Sequence, residues 1–347
     1  MTSPRSLTAL PKTHLHLHFT GSMRFDTLLD LAAKHGIRLP RALTNTWPPQ
    51  LADTEGRGWF RFQRLYEAAR ACITTESDIR RVLHEAAEDD AAEGSRRLEL
   101  QVDPTGYATH LGGITPALEI ILDEARKAHT ELGIEIGVIV AASRTRHPLD
   151  ARALARLAAR YAGDGPGQVI GFGLSNDERR GETSEFAPAF RIAARAGLTL
   201  VPHGGELLGP DHLAHILDSL HPHRFGHGVR AAEDPHLLQR AIDKGVGFEI
   251  CPGSNVALGV YNNTAALPLR TLYEAGAHIA LGADDPLLFG SRLAAQYEIA
   301  RNHHGFTDKE LAELARRSVY ASTASTSSKT RMLTDINNWI NTPAETP

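Results

Sequence analysis

Eight short runs rich in apolar and β-branched residues recur along this chain, and most are separated by stretches long enough for a helix. They cover residues 13–18, 97–102, 134–141, 169–174, 198–202, 224–228, 246–250 and 277–281. Several are apolar without alternation, as expected of parallel strands buried on both faces. The intervening stretches carry helix signals. Thr115-Pro116 ahead of residues 117–132 pairs an N-cap with a proline at the first helical position. Thr307-x-x-Glu310 reads as a capping box opening residues 311–318, and residues 151–161 have helical apolar spacing. Residues 59–73 are also amphipathic and form an insertion larger than one crossover helix needs.

Strands alternating with helices predict one α/β domain, a single (β/α)₈ TIM barrel with a helical insertion between strands 1 and 2. The barrel is expected over 1–335, with 336–347 as a flexible tail. A doubly wound sheet is the competing architecture, and it normally shows a Gly-rich phosphate turn after an early strand. Here Phe19-Thr20-Gly21-Ser22 follows the first run and lacks that spacing.

Composition narrows the classes. A net charge of −4 gives no general attraction to nucleic acid or anionic membranes. Two cysteines in 347 residues cannot build a disulfide framework. Residues 1–10 hold no apolar signal segment, and no apolar run reaches membrane-spanning length. A cytoplasmic protein acting on a small molecule is expected, with no nucleic-acid or membrane partner and no oligomeric state specified.

Histidine is the unusual residue, with 18 copies. In His16-Leu17-His18 the period of two puts both rings on one face of the first strand. On a barrel strand that face can point to the C-terminal mouth, where active sites form. His203-Gly204-Gly205-Glu206 follows the fifth run, and its glycines allow a tight turn that brings a ligand and a carboxyl group together. Phe225-Gly226-His227-Gly228 ends the sixth run with a histidine suited to acid/base or water-orienting work. Ala283-Asp284-Asp285-Pro286 ends the eighth with adjacent carboxylates, costly to bury unless a metal or substrate satisfies them.

Each motif has an ordinary structural explanation alone, as a solvated edge, a tight turn or a helix cap. Together they all fall at the C-terminal ends of strands of one barrel. The expected ligand set is His16, His18, His203 and Asp284, with room for a water. Three nitrogens and one oxygen suit zinc, with iron(II) or cobalt as alternatives. A second metal usually needs a bridging ligand such as a modified lysine. Residues 168–178 contain no lysine, so one Zn²⁺ per chain is expected.

These residues resemble the adenosine deaminase family of the amidohydrolase superfamily, over nearly the whole chain. The motifs are Pro11-Lys12-x-x-Leu15-His16-x-His18-x-x-Gly21, His203-x-Gly205-Glu206, Gly226-His227-Gly228, Cys251-Pro252-x-Ser254-Asn255 and Asp284-Asp285-Pro286. The resemblance implies hydrolytic removal of the 6-amino group of an adenine nucleoside, leaving a 6-oxopurine and ammonia. It implies catalytic roles for three residues: Glu206 protonates purine N1, His227 orients the attacking water, and Asp285 bonds N7. Glu206 as a donor requires a carboxyl pKa raised by burial. Substrate contacts are implied at His18, Thr20, Asn176, Gly205 and Asp285. Cys251 is expected to be a packed thiol.

Three positions depart from the family pattern. Thr20 stands where an acidic residue receives the ribose 5′-hydroxyl, Asn176 replaces a glycine before Asp177-Glu178, and Gln101 replaces an arginine. Loss of the carboxylate at Thr20 suggests room for a larger or anionic 5′ group. The first expected substrate is therefore 6-aminodeoxyfutalosine, of the futalosine route to menaquinone, with Arg61, Arg64 and Arg70 near the extension. Adenosine or 2′-deoxyadenosine comes second and free adenine third. A zinc-stabilised barrel that binds a nucleoside without turnover is the reading from another class. It is disfavoured because Glu206, His227 and Asp285 are all present.

Overall fold

Each of the eight runs becomes a strand. The computed structural model describes residues 4–51 and 58–342. The strands are β1 (Lys12–His18), β2 (Ser95–Val102), β3 (Glu135–Ser143), β4 (Val169–Ser175), β5 (Thr199–Gly204), β6 (Arg224–His227), β7 (Gly247–Ile250) and β8 (His278–Leu281). They lie in sequence order, each parallel to the next. The backbone past β8 returns to β1, with His18 N–H donating to the Asp284 carbonyl (2.9 Å) and Asp284 N–H to the His16 carbonyl (3.0 Å). The result is the (β/α)₈ barrel read from the sequence.

Helices cover the outside with apolar stripes at helical spacing. In Glu76–Ala92, the buried Ile79, Val82, Leu83, Ala86 and Ala87 repeat at three and four residues. Thr75 opens that helix: its side chain accepts from Asp78 N–H, and the Asp78 carboxylate accepts from Thr75 N–H. The box at Thr307 and Glu310 forms as expected and starts the helix Asp308–Ala321. The start near Thr115 differs. That helix runs Ile114–Leu132 after Gly113, whose φ of 138° makes the turn, so Pro116 sits third and Thr115 does not cap. Proline is tolerated there because the first four N–H groups of a helix have no intrahelical partner.

Among its described residues, the connection from β1 to β2 holds four helices, Phe25–Lys34, Arg41–Thr44, Gly58–Arg70 and Glu76–Ala92. Glu76–Ala92 is the crossover proper. Gly58–Arg70 is the expected insertion, and its Trp59, Phe62, Tyr66 and Arg70 reach the mouth of the barrel.

The end of the chain differs from a flexible tail. Residues Thr326–Asn341 form a helix, with Met332 and Ile336 buried. Arg5 donates to the Trp339 carbonyl (3.0 Å), and the Trp339 indole donates to the Ser6 carbonyl (3.0 Å). The boundary expected at 335 thus falls inside a helix whose apolar stripe packs on the helix Asp308–Ala321. Residues 343–347 of the expected tail lie outside the described residues. Ile336→Ala should destabilise the fold by roughly 2–5 kcal/mol, the range for truncating a buried aliphatic side chain. Thermal and denaturant unfolding would show it, and an unchanged midpoint would mean this helix adds nothing.

Candidate metal and active site

The site is assembled from strand ends. His16 and His18 project from β1 to the same side, and His203 enters from the end of β5. His18 Nε2 lies 3.1 Å from His203 Nε2. Asp284, just past β8, brings Oδ1 to 3.4 Å from His16 Nε2 and 3.3 Å from His18 Nε2. Buried His16 Nε2 has no hydrogen-bond partner among the described residues. Ring nitrogens of His16, His18 and His203 lie within 4.8 Å of one another. Imidazole nitrogens facing each other around a carboxylate oxygen, one with no partner, fit a divalent cation. Three N donors and one O are a donor set that would suit zinc.

Behind His16 stands Glu249 of β7. His16 Nδ1 donates to Glu249 Oε2 at 2.7 Å, which fixes the ring with Nε2 toward the cluster. The sequence reading missed Glu249. Its signal was a carboxylate inside an otherwise apolar strand, a charge that needs a buried partner. Cys251 is buried with a pKa pushed up first by burial and then by Asp284 and Glu249, so it is a packed thiol.

Beside the cluster lie Glu206, His227 and Asp285. His227 Nε2 is 3.6 Å from Glu206 Oε2 and 4.0 Å from Asp284 Oδ2. Burial pushes the His227 imidazole down to about 3, so it is neutral near pH 7. Burial also raises the Glu206 carboxyl well above its ordinary value, helped by the charges of Asp284, Glu178 and Asp177. Asp285 is raised by burial and by Asp284, and its Oδ1 has no partner. A cation on Asp284 would weaken that repulsion, while burial would still favour the neutral acids. Both carboxyls are thus biased toward their protonated forms beside a neutral imidazole.

Backbone strain marks the same place. His227 (φ 72°) and Asp284 (φ 63°) occupy the left-handed region, unusual for residues other than glycine. Gly21 is required by close packing, since a Cβ there would lie 1.7 Å from Asp285 Oδ1. Glu178 holds the loop that carries Glu206, accepting from the N–H groups of Glu206 (3.1 Å), Leu207 (3.1 Å) and Leu208 (2.8 Å). Burial alone would raise its pKa. His212 and the backbone donors outweigh it and hold Glu178 below the usual range.

A cavity of about 350 Å³ opens above this centre. His18, His203, Glu206, His227, Asp284 and Asp285 line its floor, with Gln101 and Asn176 beside them. Asn176 has a positive φ of 79°, a left-handed conformation that asparagine tolerates better than most residues. The outer wall is Trp59, Phe62, Tyr66 and Arg70 from the insertion, with Asp103, Tyr107 and Arg146 from the β2 and β3 ends.

Four residues expected near the substrate lie off the cavity wall. Thr20 is buried and does not line the cavity, because its hydroxyl is bonded to the Tyr107 hydroxyl at 2.6 Å. The space left by the missing carboxylate is filled by tyrosine, not widened. Gly205 also lies off the wall, and its φ of 69° serves the turn after β5. Arg61 and Arg64 are exposed and off the wall, leaving Arg70 as the arginine of that helix on the cavity.

An eight-stranded parallel barrel with this His/Asp cluster at its mouth is the build of an amidohydrolase. The chain belongs to the adenosine deaminase family: the family model described as adenosine deaminase matches residues 11–339. A Streptomyces virginiae protein, provisionally named adenosine/adenine deaminase, is 61% identical over 98% of this chain and 99% of its own. An adenine deaminase from Rhizobium leguminosarum bv. trifolii is 34% identical over 90% of this chain and 94% of its own. The crystal structure of an adenine deaminase from Arthrobacter aurescens superposes with a TM-score of 0.87 at 28% identity, covering 95% of this chain and 99% of that one. An amidohydrolase from Burkholderia ambifaria with bound Zn superposes with a TM-score of 0.85 at 26% identity, covering 97% and 93%. The chain is therefore a hydrolytic deaminase of adenine compounds. No described helix is long and apolar enough to cross a membrane.

Glu206 should remain protonated at neutral pH, visible as a carboxyl C=O band in infrared spectra that vanishes in Glu206→Gln. Asp177→Asn removes one charge that raises Glu206, so the band should be lost at lower pH than in the parent. A band lost at the same or a higher pH would contradict this electrostatic account.

Proposed function

We propose that this enzyme deaminates an adenine nucleoside at C6, with one zinc ion held by His16, His18, His203 and Asp284. Zinc there would supply the Lewis acidity that makes water a nucleophile near neutral pH. The observation that carries the reading is the buried Glu206 carboxyl, its pKa raised, 3.6 Å from the His227 imidazole on the cavity floor. His227, neutral and fixed by its strained backbone, accepts a hydrogen bond from the attacking water and aims it at C6. Glu206 donates its proton to purine N1, so the ring accepts the nucleophile without building negative charge. Protonated Asp285 donates to N7, which satisfies its unpartnered oxygen and sets the purine plane. The Asn176 backbone N–H is assigned to N3. The C6–N bond then breaks: of the two protons of the water, one goes to the departing amine, which leaves as ammonia, and one restores Glu206, while the 6-oxopurine keeps the proton at N1.

The outer half of the cavity separates the candidate substrates. At about 350 Å³ the whole cavity is within the range that takes drug-sized ligands, roughly 300–1,000 Å³, more than a bare purine fills. A nucleoside sugar would occupy the remainder. An acid-bearing 5′ extension, as in 6-aminodeoxyfutalosine, would meet Arg70 and Arg146 on the outer wall. Free adenine is the second reading. It is favoured by the names of the Rhizobium and Arthrobacter relatives and by the filled space at Thr20.

Turnover of 6-aminodeoxyfutalosine, adenosine, 2′-deoxyadenosine and adenine, compared by kcat/KM with ammonia release, decides among them. Preference for the first or for a nucleoside supports use of the outer half, and preference for adenine assigns it to water. Glu206→Gln should lose roughly 10²–10⁴-fold in kcat while its zinc content stays unchanged. Full turnover by that variant would remove the acid from the mechanism.

A further inference from the structure

Beneath the metal cluster, the interior of the barrel is charged. Part of it is ordinary apolar packing, the layer Ile139, Ile170 and Val201. The rest is a chain of ions. Glu249, which accepts from His16 Nδ1 through Oε2, accepts from Arg224 Nε through Oε1 at 2.6 Å. Arg224 Nη2 donates to Glu99 Oε2 at 2.6 Å, and Nη1 donates to the Ala321 carbonyl at 2.9 Å. Glu99 Oε1 accepts from Arg97 Nε (2.9 Å), Thr323 N–H (2.7 Å) and the Thr323 hydroxyl (2.9 Å). These four charged side chains are at most 2% exposed.

Within this buried set two arginines face two glutamates, and at its rim Arg97 also pairs with Glu135 (3.2 Å), which Arg331 reaches at 3.3 Å. Such a network is a poor device for stability, because burying ions costs as much as their attraction returns, and apolar side chains of like volume often do as well. Its geometry has a different use. Arg224 is the first residue of β6, yet its guanidinium spans Glu99 of β2 and Glu249 of β7, and Glu249 holds a ring on β1. The planar fork offers separate N–H groups to two carboxylates at once, which fixes the Glu249 carboxylate in position and in plane.

We propose that Arg224 is a positioning residue for the metal site, setting the His16 ring through Glu249 from inside the barrel. The inference rests on the metal reading given above. Partners standing directly behind a ligand typically change metal affinity by roughly 10–100-fold, and one step further back the lower end applies.

Arg224→Lys keeps the charge and loses the fork. Purified full-length parent and variant are stripped of metal and titrated with zinc against a competing chelator. The visible spectrum of the cobalt(II)-loaded forms reports ligand geometry, and melting of the metal-free forms reports the fold separately. The variant is expected to bind zinc roughly tenfold more weakly, with a shifted cobalt band. Equal affinity and an unchanged cobalt band would overturn the proposal, whatever the melting temperature, because the network would then serve the fold alone. A parent that binds no metal would remove the metal reading and this inference with it, whereas a parent and variant that bind alike remove only this one. Should Arg224→Lys fail to fold, Glu99→Gln decides by the same two criteria, since it frees Arg224 on the side away from the metal.

Discussion

The hydrogen bonds that join the end of the chain's last strand to its first are the constraint on which the site depends. His18 N–H to the Asp284 carbonyl and Asp284 N–H to the His16 carbonyl fix the segment after β8 against the two histidines of β1. Without that closure, a carboxylate and two imidazoles far apart in sequence have no reason to meet. With it, the Asp284 side chain has little freedom, because its left-handed backbone is held by two bonds to β1. β5 adds His203 and β6 adds His227, and the register of the barrel sets their heights at the mouth.

Desolvation then supplies the chemistry. Glu206, His227 and Asp285 are each almost wholly buried, and burial is the first cause of each shift. It disfavours the charged form, which raises the pKa of both carboxyls and lowers that of the imidazole. The loop fastened by Glu178 keeps Glu206 in that setting. The same low-dielectric interior makes the ion chain under His16 rigid, since no member can turn away without leaving an unpaired charge.

Much of the site was legible because its residues sit in short local motifs. His-x-His needs only the period of a strand, and Gly-His-Gly and Asp-Asp-Pro announce strand ends. The strand runs themselves were legible because parallel barrel strands are apolar on both faces. Other features had no local signature. Glu249 reads as an isolated acid, and nothing near it names Arg224 or Glu99 as partners. Thr20 reads as an opened pocket until Tyr107, 87 positions away, is seen to occupy the space. The C-terminal helix reads as a tail because its apolar residues find their partner only when it folds back on the helix Asp308–Ala321.

The sequence by itself determined the alternation of strand and helix, the histidine and carboxylate donors and the strand ends that carry them, since periodicity and turn chemistry act over a few residues. Tertiary structure decided which oxygens face which nitrogens, which acids keep their protons, and how far the cavity extends. Those properties depend on distance and burial between segments remote in the chain, and only closing the barrel sets either.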